Sequence, residues 1–295
     1  MIYVFDVKRA SSPFVNKFVK QFNHKTYNNK EGEGEKFYNF SWPDWDGDIP
    51  KDCQVVFQGL LRGTREIYEK CKELGRDFYY LDQPYFFMSS YKEHPAFNDR
   101  WYRIIKNNTQ KNYIDKTPRN KRRYERLVER IKNFPSALDE ITLKPWRYEG
   151  KHILVIPPSY HTAKWYDLDR HDWERYYVNE LKKHTKREIR VRNKPRPGNQ
   201  WWNKDIKEDL KDCHCLVTNL SMAAIDAVLN KVPAITHNMN VASPVSGRDL
   251  AKIEKPLKPG RETIREWLQF VVENQFTMAE INKGVAYKTL MEQQV

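Results

Sequence analysis

The sequence predicts an α/β protein built from two Rossmann-like parallel-sheet domains, residues 1–145 and 146–295. Three observations lead there. Short β-rich runs alternate with helix-length amphipathic stretches, the pattern of βα units around a parallel sheet. One run, HILVI at 152–156, is apolar without a break, as a strand buried on both faces requires. The length of 295 residues suits one large or two mid-sized domains.

Taken in order, residues 2–5 are the first strand and 13–22 the first helix. The polar Gly- and Asn-containing stretch 23–35 reads as a loop. A strand at 54–57, a helix at 64–74 and a strand at 78–81 follow. Residues 82–118 show no clean period and many aromatics, which predicts a long irregular segment. Pro118 then opens a basic helix reaching about residue 133. The second series starts after Gly150 with strand 152–156, which stops at Pro157-Pro158 because proline has no N–H to continue a ladder. Helix 169–184, strand 188–191, helix 204–211, strand 215–218, helix 221–229 and strand 234–237 continue it. Helices near 262–272 and 277–281 close the series.

Lys and Arg number 52 against 39 Asp and Glu, a net charge of +13. The resulting pI near 9.4 predicts attraction to polyanions, meaning nucleic acid or phosphate-bearing ligands. A mean hydropathy of −0.87 is polar, but 39% hydrophobic and 14% aromatic residues argue for a packed core and against disorder. No apolar run approaches the ~20 residues that cross a bilayer. The opening MIYVFDVKR meets charge too early for a secretory signal. Cys53, Cys71, Cys213 and Cys215 are too few and scattered for a disulfide framework. The expected location is cytoplasmic, in the host cytoplasm if the gene is carried by a phage.

The most informative stretch is CLVTNLSMAAIDAVLNKVPAITH, residues 215–237. A strand ends at Thr218-Asn219, and Ser221 stands where the next helix begins. Met222, Ala223 and Ala224 follow in its first turn, with Asp226 one turn in. Free N–H groups and the dipole at such a helix start favour phosphate, and small residues permit close approach. The same stretch also reads as an ordinary βαβ unit with a serine cap.

The pattern Ser-x-x-x-x-Asp-Ala-x-x-x-x-Val-Pro resembles the nucleotide-sugar motif in the C-terminal half of GT-B glycosyltransferases. Capsule- and lipopolysaccharide-type members carry Ser-Ser-x-Ala-x-Glu-Ala-x-x-x-Gly-x-Pro there; this chain has Asn230-Lys231 where Gly is usual. The resemblance implies that Ser221 touches the donor diphosphate and that Asp226 is the acidic residue, with Asn219, Met222 and Ala223 beside them. GLLRGT (59–64), YYLDQPYFF (79–87), WYRIIKNNTQ (101–110), IRVRNKP (189–195) and NQFTMAEINKG (274–284) together resemble a group of uncharacterised phage and bacterial proteins that look like compact GT-B enzymes, and phage DNA-base glycosyltransferases. This resemblance implies two domains facing a cleft, a nucleotide-sugar co-substrate such as a UDP-sugar, no tightly bound cofactor and no metal held by protein carboxylates. It also implies that the loop 156–166 contacts donor phosphate through Ser159, Thr162 or its backbone, with His161 as a further contact.

Arg190, Arg192 and Lys194 alternate, so on an extended chain they share one face. They fit a diphosphate at a strand end, or a solvated edge strand that uses charge to discourage pairing. Asp82 follows a strand and precedes Gln83-Pro84-Tyr85. There it fits either a general base toward an acceptor hydroxyl or a turn cap before proline. Asp6 holds the equivalent place after the first strand and is the reserve base.

Between Arg100 and Lys132 lie twelve Lys or Arg against three acids, with Trp101, Tyr102, Tyr113 and Tyr124 interleaved. Basic residues bind phosphates without reading sequence and aromatics stack on exposed bases; a solvated helix face is the plainer alternative. Arg62, Tyr85, Arg100, Arg103, Lys106, Arg119, Lys121, Arg122 and Arg123 are the expected acceptor or DNA contacts. Asp44-x-Asp46-Gly47-Asp48 departs from a calcium loop, and Cys213-His214-Cys215 lacks a second ligand pair, so neither predicts a metal site.

The expected activity is therefore transfer of a sugar from a nucleotide donor to a hydroxyl, with a hydroxymethylated pyrimidine of phage DNA as first acceptor. The alternatives are a cell-surface polysaccharide acceptor, or a non-catalytic nucleic-acid-binding protein on a transferase scaffold.

Overall fold

The computed structural model describes residues 1–7, 13–33, 39–85, 101–110, 125, 145–193 and 205–292. The chain begins with β1 (Ile2–Asp6), α1 (Pro13–Val19), β2 (His24–Asn28), β3 (Lys30–Glu31), β4 (Phe40–Ser41) and β5 (Gln54–Gln58). It continues through α2 (Thr64–Leu74), β6 (Phe78–Asp82), β7 (Trp101–Lys106), β8 (His152–Ile156), α3 (Tyr160–Trp165) and α4 (Arg170–His184). Then come β9 (Glu188–Val191), α5 (Ile206–Leu210), β10 (Cys213–Thr218), α6 (Ala223–Leu229) and β11 (Ala234–Ile235). The last elements are α7 (Arg261–Val272), β12 (Gln275–Thr277), α8 (Met278–Asn282) and α9 (Val285–Glu292).

These elements fall into two units, Met1–Gln110 with Asn274–Val295, and Lys111–Glu273. The first carries a six-stranded sheet in the order β12-β7-β6-β5-β1-β2. Strands β2, β1, β5 and β6 are parallel, and β7 runs antiparallel to both β6 and β12. Alternate strand residues point to opposite faces. On one face Ile2, Val4, Val56, Tyr79, Leu81, Ile104 and Phe276 pack with Val15 and Phe18 of α1, Met278 and Ile281 of α8 and Leu290 of α9. On the other, Phe57 meets Phe78 and Tyr80, and Tyr68 of α2 lies edge-on to Phe78. Helix α2 buries Thr64, Ile67 and Cys71, one stripe at helical spacing. It ends where Gly75 adopts a left-handed φ of 61°, which lets the next N–H, from Arg76, reach the Cys71 carbonyl at 2.8 Å.

The second unit has four parallel strands in the order β11-β10-β8-β9. Ile153, Val155, Cys215, Val217 and Ile235 meet Trp173 and Leu181 of α4 on one face. Helices α5 and α6 pack against β10 and each other. Strand β8 is buried along its whole length, as its unbroken apolar run predicts.

The structure departs from the expected elements in places with a common cause. The stretch 23–35 contains β2 and β3 instead of a loop; β2 is an edge strand that buries only Tyr27, so it shows no alternation of apolar residues. Within 82–118, β7 is a regular strand whose apolar run is interrupted by the buried Arg103. The loop after β8 contains α3. Helices expected at 204–211 and 221–229 are the shorter α5 and α6, and the strand at 234–237 ends at Ile235. The basic helix expected at 118–133 lies outside the described residues, apart from Glu125, which is helical.

The units divide at 110/111 where 145/146 is expected, and the division also changes at the C-terminal end. Residues 274–295 belong to the first unit, because Gln275, Phe276 and Thr277 pair with Arg103, Tyr102 and Trp101 and complete that sheet. Three residues are too few to read as a strand from sequence. Phe276 is fully buried in the shared core. Phe276→Ala is therefore expected to cost about 3–5 kcal/mol. Segment-resolved hydrogen exchange should then show lost protection in β6 and β7, with β8 and β10 unchanged.

Candidate functional site

A parallel sheet delivers the C-terminal ends of its strands to one edge, where open α/β folds bind ligands. In the second unit the turn after β10 is shaped by a residue outside the predicted set. The buried Asn240 amide donates to the carbonyls of Asn219 and Ser221, each at 3.1 Å, and accepts the Ala242 N–H at 2.9 Å. The Val241 carbonyl next to it accepts the Trp267 indole N–H at 2.8 Å. Thr236, Ser246 and the Ala242 carbonyl form a buried hydrogen-bond chain at 2.6 and 2.7 Å. Its members lie within eleven residues, but nothing in their local pattern announces a clamp on a different strand's exit.

This clamp moves the start of α6. The capping position is Met222, without a side-chain cap, in place of Ser221. Ser221 Oγ instead accepts the Ala223 N–H at 3.3 Å, and Ala223 is itself buried. The Asn219 Oδ1 atom is buried with no hydrogen-bond partner among the described residues, a state that native structures resolve with a water or a ligand.

At the end of β8, Ser159 and Thr162 are engaged with each other. Ser159 Oγ accepts the Thr162 N–H at 3.1 Å as the cap of α3, and the two hydroxyls lie 2.8 Å apart. His161 is half-buried, with Tyr160 edge-on to its ring at 5.9 Å. At the end of β9 the expected row of cations is neutralised at both described positions. Arg190 pairs with Glu188 at 2.7 Å, and Arg192 pairs with Asp209 of α5. Lys194 lies outside the described residues.

Asp226 on α6 differs from these. Burial, then the negative charge of Asp205, push its carboxyl up to about 6, against the opposing pull of Lys207 and Arg192. A carboxylate kept in surroundings that disfavour its charge is a functional-site candidate on physical grounds.

In the first unit Asp82 stands at the end of β6, but it is not the free carboxylate expected of a general base. Its Oδ2 receives the Arg103 guanidinium at 2.6 Å and the Tyr80 hydroxyl at 2.5 Å, and its Oδ1 accepts the Gln83 N–H at 2.7 Å. Burial alone would push the Arg103 guanidinium down; Asp82, then Tyr80 and Tyr85, more than reverse this. Arg103 also lies 5.1 Å from the Tyr85 ring centre.

Three expected acceptor contacts are corrected by burial. Arg103 and Tyr85 are only 4% exposed, so neither reaches a phosphate or stacks on a base. Tyr85 is tied to β12, its N–H donating to Gln275 Oε1 at 2.9 Å. Lys106 pairs with Asp77 at 2.6 Å, with its side chain 10% exposed. In each case the sheet turns the side chain of a charged or aromatic segment inward, where a partner is required. Arg62 is half-buried in the loop before α2 with a φ of 65°, its carbonyl accepting from Asn29 at 3.2 Å. Asp6 is half-buried at the end of β1. Arg100, Arg119, Lys121, Arg122 and Arg123 lie outside the described residues.

The chain matches no family model and no curated protein. Among solved structures it is similar to the Thermosulfurimonas dismutans KpsC β Kdo 2,4 transferase, with a TM-score of 0.50 at 12% identity, over 98% of this chain and 97% of that one. A second similarity is to the KpsC β Kdo 2,7 transferase of the same organism, with a TM-score of 0.49 at 13% identity, over 97% and 99%. The fold is GT-B-like. The first likeness spans nearly the whole of both chains, so both units take part in it. Among the described residues no helix is long and apolar enough to cross a membrane.

Two predictions follow from these charges. Asp82→Asn leaves a buried guanidinium uncompensated and should cost about 3–5 kcal/mol in urea unfolding, with part of the loss recovered in the double variant Asp82→Asn, Arg103→Leu. Asp226 acts in the opposite sense. Between its ordinary 3.8 and about 6, the folded chain holds a proton that the unfolded chain has lost, so stability falls as pH rises through that window. Asp226→Asn should flatten that fall and raise stability at pH 8 by about 1–3 kcal/mol.

Proposed function

We propose that the protein is a glycosyltransferase that holds a nucleotide-activated sugar at the strand-end edge of its second unit and transfers the sugar to a hydroxyl acceptor. The observation that carries this reading is the GT-B-like fold, shared over 98% of the chain with a transferase. The second unit adds a turn after β10 fixed by Asn240, an unsatisfied Asn219 acceptor and a carboxyl at Asp226 that costs the fold stability. Preorganised acceptors of this kind suit the hydroxyl and N–H groups of a nucleotide sugar and hold them without reorganising on binding. In the first unit the base candidates stay the two expected from sequence, Asp82, which accepts from three donors, and Asp6 at the end of β1.

A hydroxymethylated pyrimidine in DNA is the first acceptor in this reading, supported by the net charge of +13 and the twelve basic residues between Arg100 and Lys132. The burial of Arg103 and Lys106 reduces that support. A saccharide acceptor is the second, favoured by the likeness to a Kdo transferase.

The test is incubation with radiolabelled UDP-, GDP- and CMP-sugars, offering plain DNA, hydroxymethylated DNA and an oligosaccharide panel as acceptors. Label should pass to one acceptor class from one donor, and Asp6→Asn should reduce kcat by about 100-fold or more while donor affinity is kept. Absence of transfer and of donor hydrolysis across the panel overturns the reading.

A further inference from the structure

We propose that His237 and Arg248, at the exit of β11, bind a phosphate of a nucleotide ligand, with Asn219 Oδ1 accepting a hydrogen bond from a ligand hydroxyl or N–H beside them. This rests on reading that edge as the donor site, and it names the side chains that grip the donor. Neither His237 nor Arg248 belongs to the set expected from sequence, whose described cations are already paired.

The chain that leaves β11 returns to it within a dozen residues. The Thr236 N–H donates to the Gly247 carbonyl at 2.9 Å, and the Gly247 N–H to the Ala234 carbonyl at 2.8 Å. His237 and Arg248 are the next residues on these two neighbouring chains. The His237 N–H in turn reaches the Asn219 carbonyl at 3.3 Å, which sets it beside the exit of β10. The exits of β10 and β11 and the bridge residue Gly247 thus converge through backbone hydrogen bonds, and the Asn240 clamp fixes the turn after β10.

The chemistry of each group is defined. The Met239 backbone N–H donates to His237 Nδ1 at 3.2 Å, and a backbone amide can only donate. Nδ1 must therefore present its lone pair, which places the ring proton on Nε2. His237 is exposed, and Nε2 has no partner among the described residues, so a directed N–H faces outward. Partial desolvation and the nearby Arg248 charge both push the imidazole down, toward this neutral form. Arg248 is exposed and forms no ion pair among the described residues. A guanidinium and a fixed N–H suit an oxyanion, and guanidinium–phosphate hydrogen bonds are charge-assisted. The buried Asn219 oxygen supplies what the two donors lack, an acceptor for a hydroxyl or N–H on the same ligand.

The experiment is calorimetric titration of the full chain with UDP, CMP and inorganic phosphate. A nitrogen-15 spectrum tuned to histidine rings is recorded alongside. The spectrum should show His237 as the Nε2–H tautomer at pH 7 and a shift of that nitrogen on nucleotide addition. His237→Ala and Arg248→Ala should each weaken nucleotide binding about tenfold or more. His237→Gln, which restores an N–H near the same place, should recover most of it, and Lys183→Ala on the exposed surface of α4 should bind as the parent does. Unchanged affinity in both alanine variants, with the parent binding nucleotide, overturns this assignment and leaves the donor site standing. A parent chain that binds neither nucleotide at millimolar concentration overturns both. Inorganic phosphate binding as tightly as the nucleotides would also overturn it, because the nucleoside would then contribute nothing.

Discussion

Every charged side chain drawn into a β-sheet must find a partner there, and this constraint organises both units. Leaving one member of a buried pair alone costs several kcal/mol, more than most single packing contacts supply. Arg103 sits in the middle of β7 between two other strands, and Asp82, Tyr80 and Tyr85 surround it. Gln275 on the next strand holds the Tyr85 backbone, so β12 completes the enclosure as well as the sheet. The same strands, β6 and β7, carry the packing core with Tyr79, Leu81, Tyr102 and Ile104 and the polar network with Tyr80, Asp82 and Arg103. A change to either is felt in both.

Charge compensation also redraws the functional surface. Read along the chain, the cations of β7 and β9 form rows that suggest phosphate binding. In three dimensions they are consumed by Asp82, Asp77, Glu188 and Asp209. Among the described residues at the strand-end edge of the second unit, the Asn219 oxygen, the Asp226 carboxyl, the His237 N–H and the Arg248 guanidinium are groups available to a ligand. Unmet polar groups are costly, and at a strand-end edge that cost is what a binding site requires before its ligand arrives.

The two units differ in how they hold these groups. In the first, side chains contact side chains around Arg103 and Asp82. In the second, Asn240, Thr236 and Ser246 act mainly on backbone carbonyls and fix the path of the turns. A site built on an immobilised backbone loses little entropy on binding, which suits recognition of a rigid phosphate-bearing ligand.

The sequence by itself determined the α/β class, the GT-B-like pairing of two sheet units and most strands and long helices. HILVI, the strand at 54–58 and the stripe Thr64, Ile67, Cys71 carry their structure in local periodicity, and burial of apolar surface enforces it. Only the tertiary structure decided that residues 274–295 return to the first sheet, that β2 is a strand, and that Arg103 and Lys106 turn inward. It also decided that Asn240 delays α6 and that His237 meets Asn219. Those outcomes depend on which strands become neighbours. Ion pairs and single polar clamps act between residues with no periodic relation along the chain, so no local pattern records them.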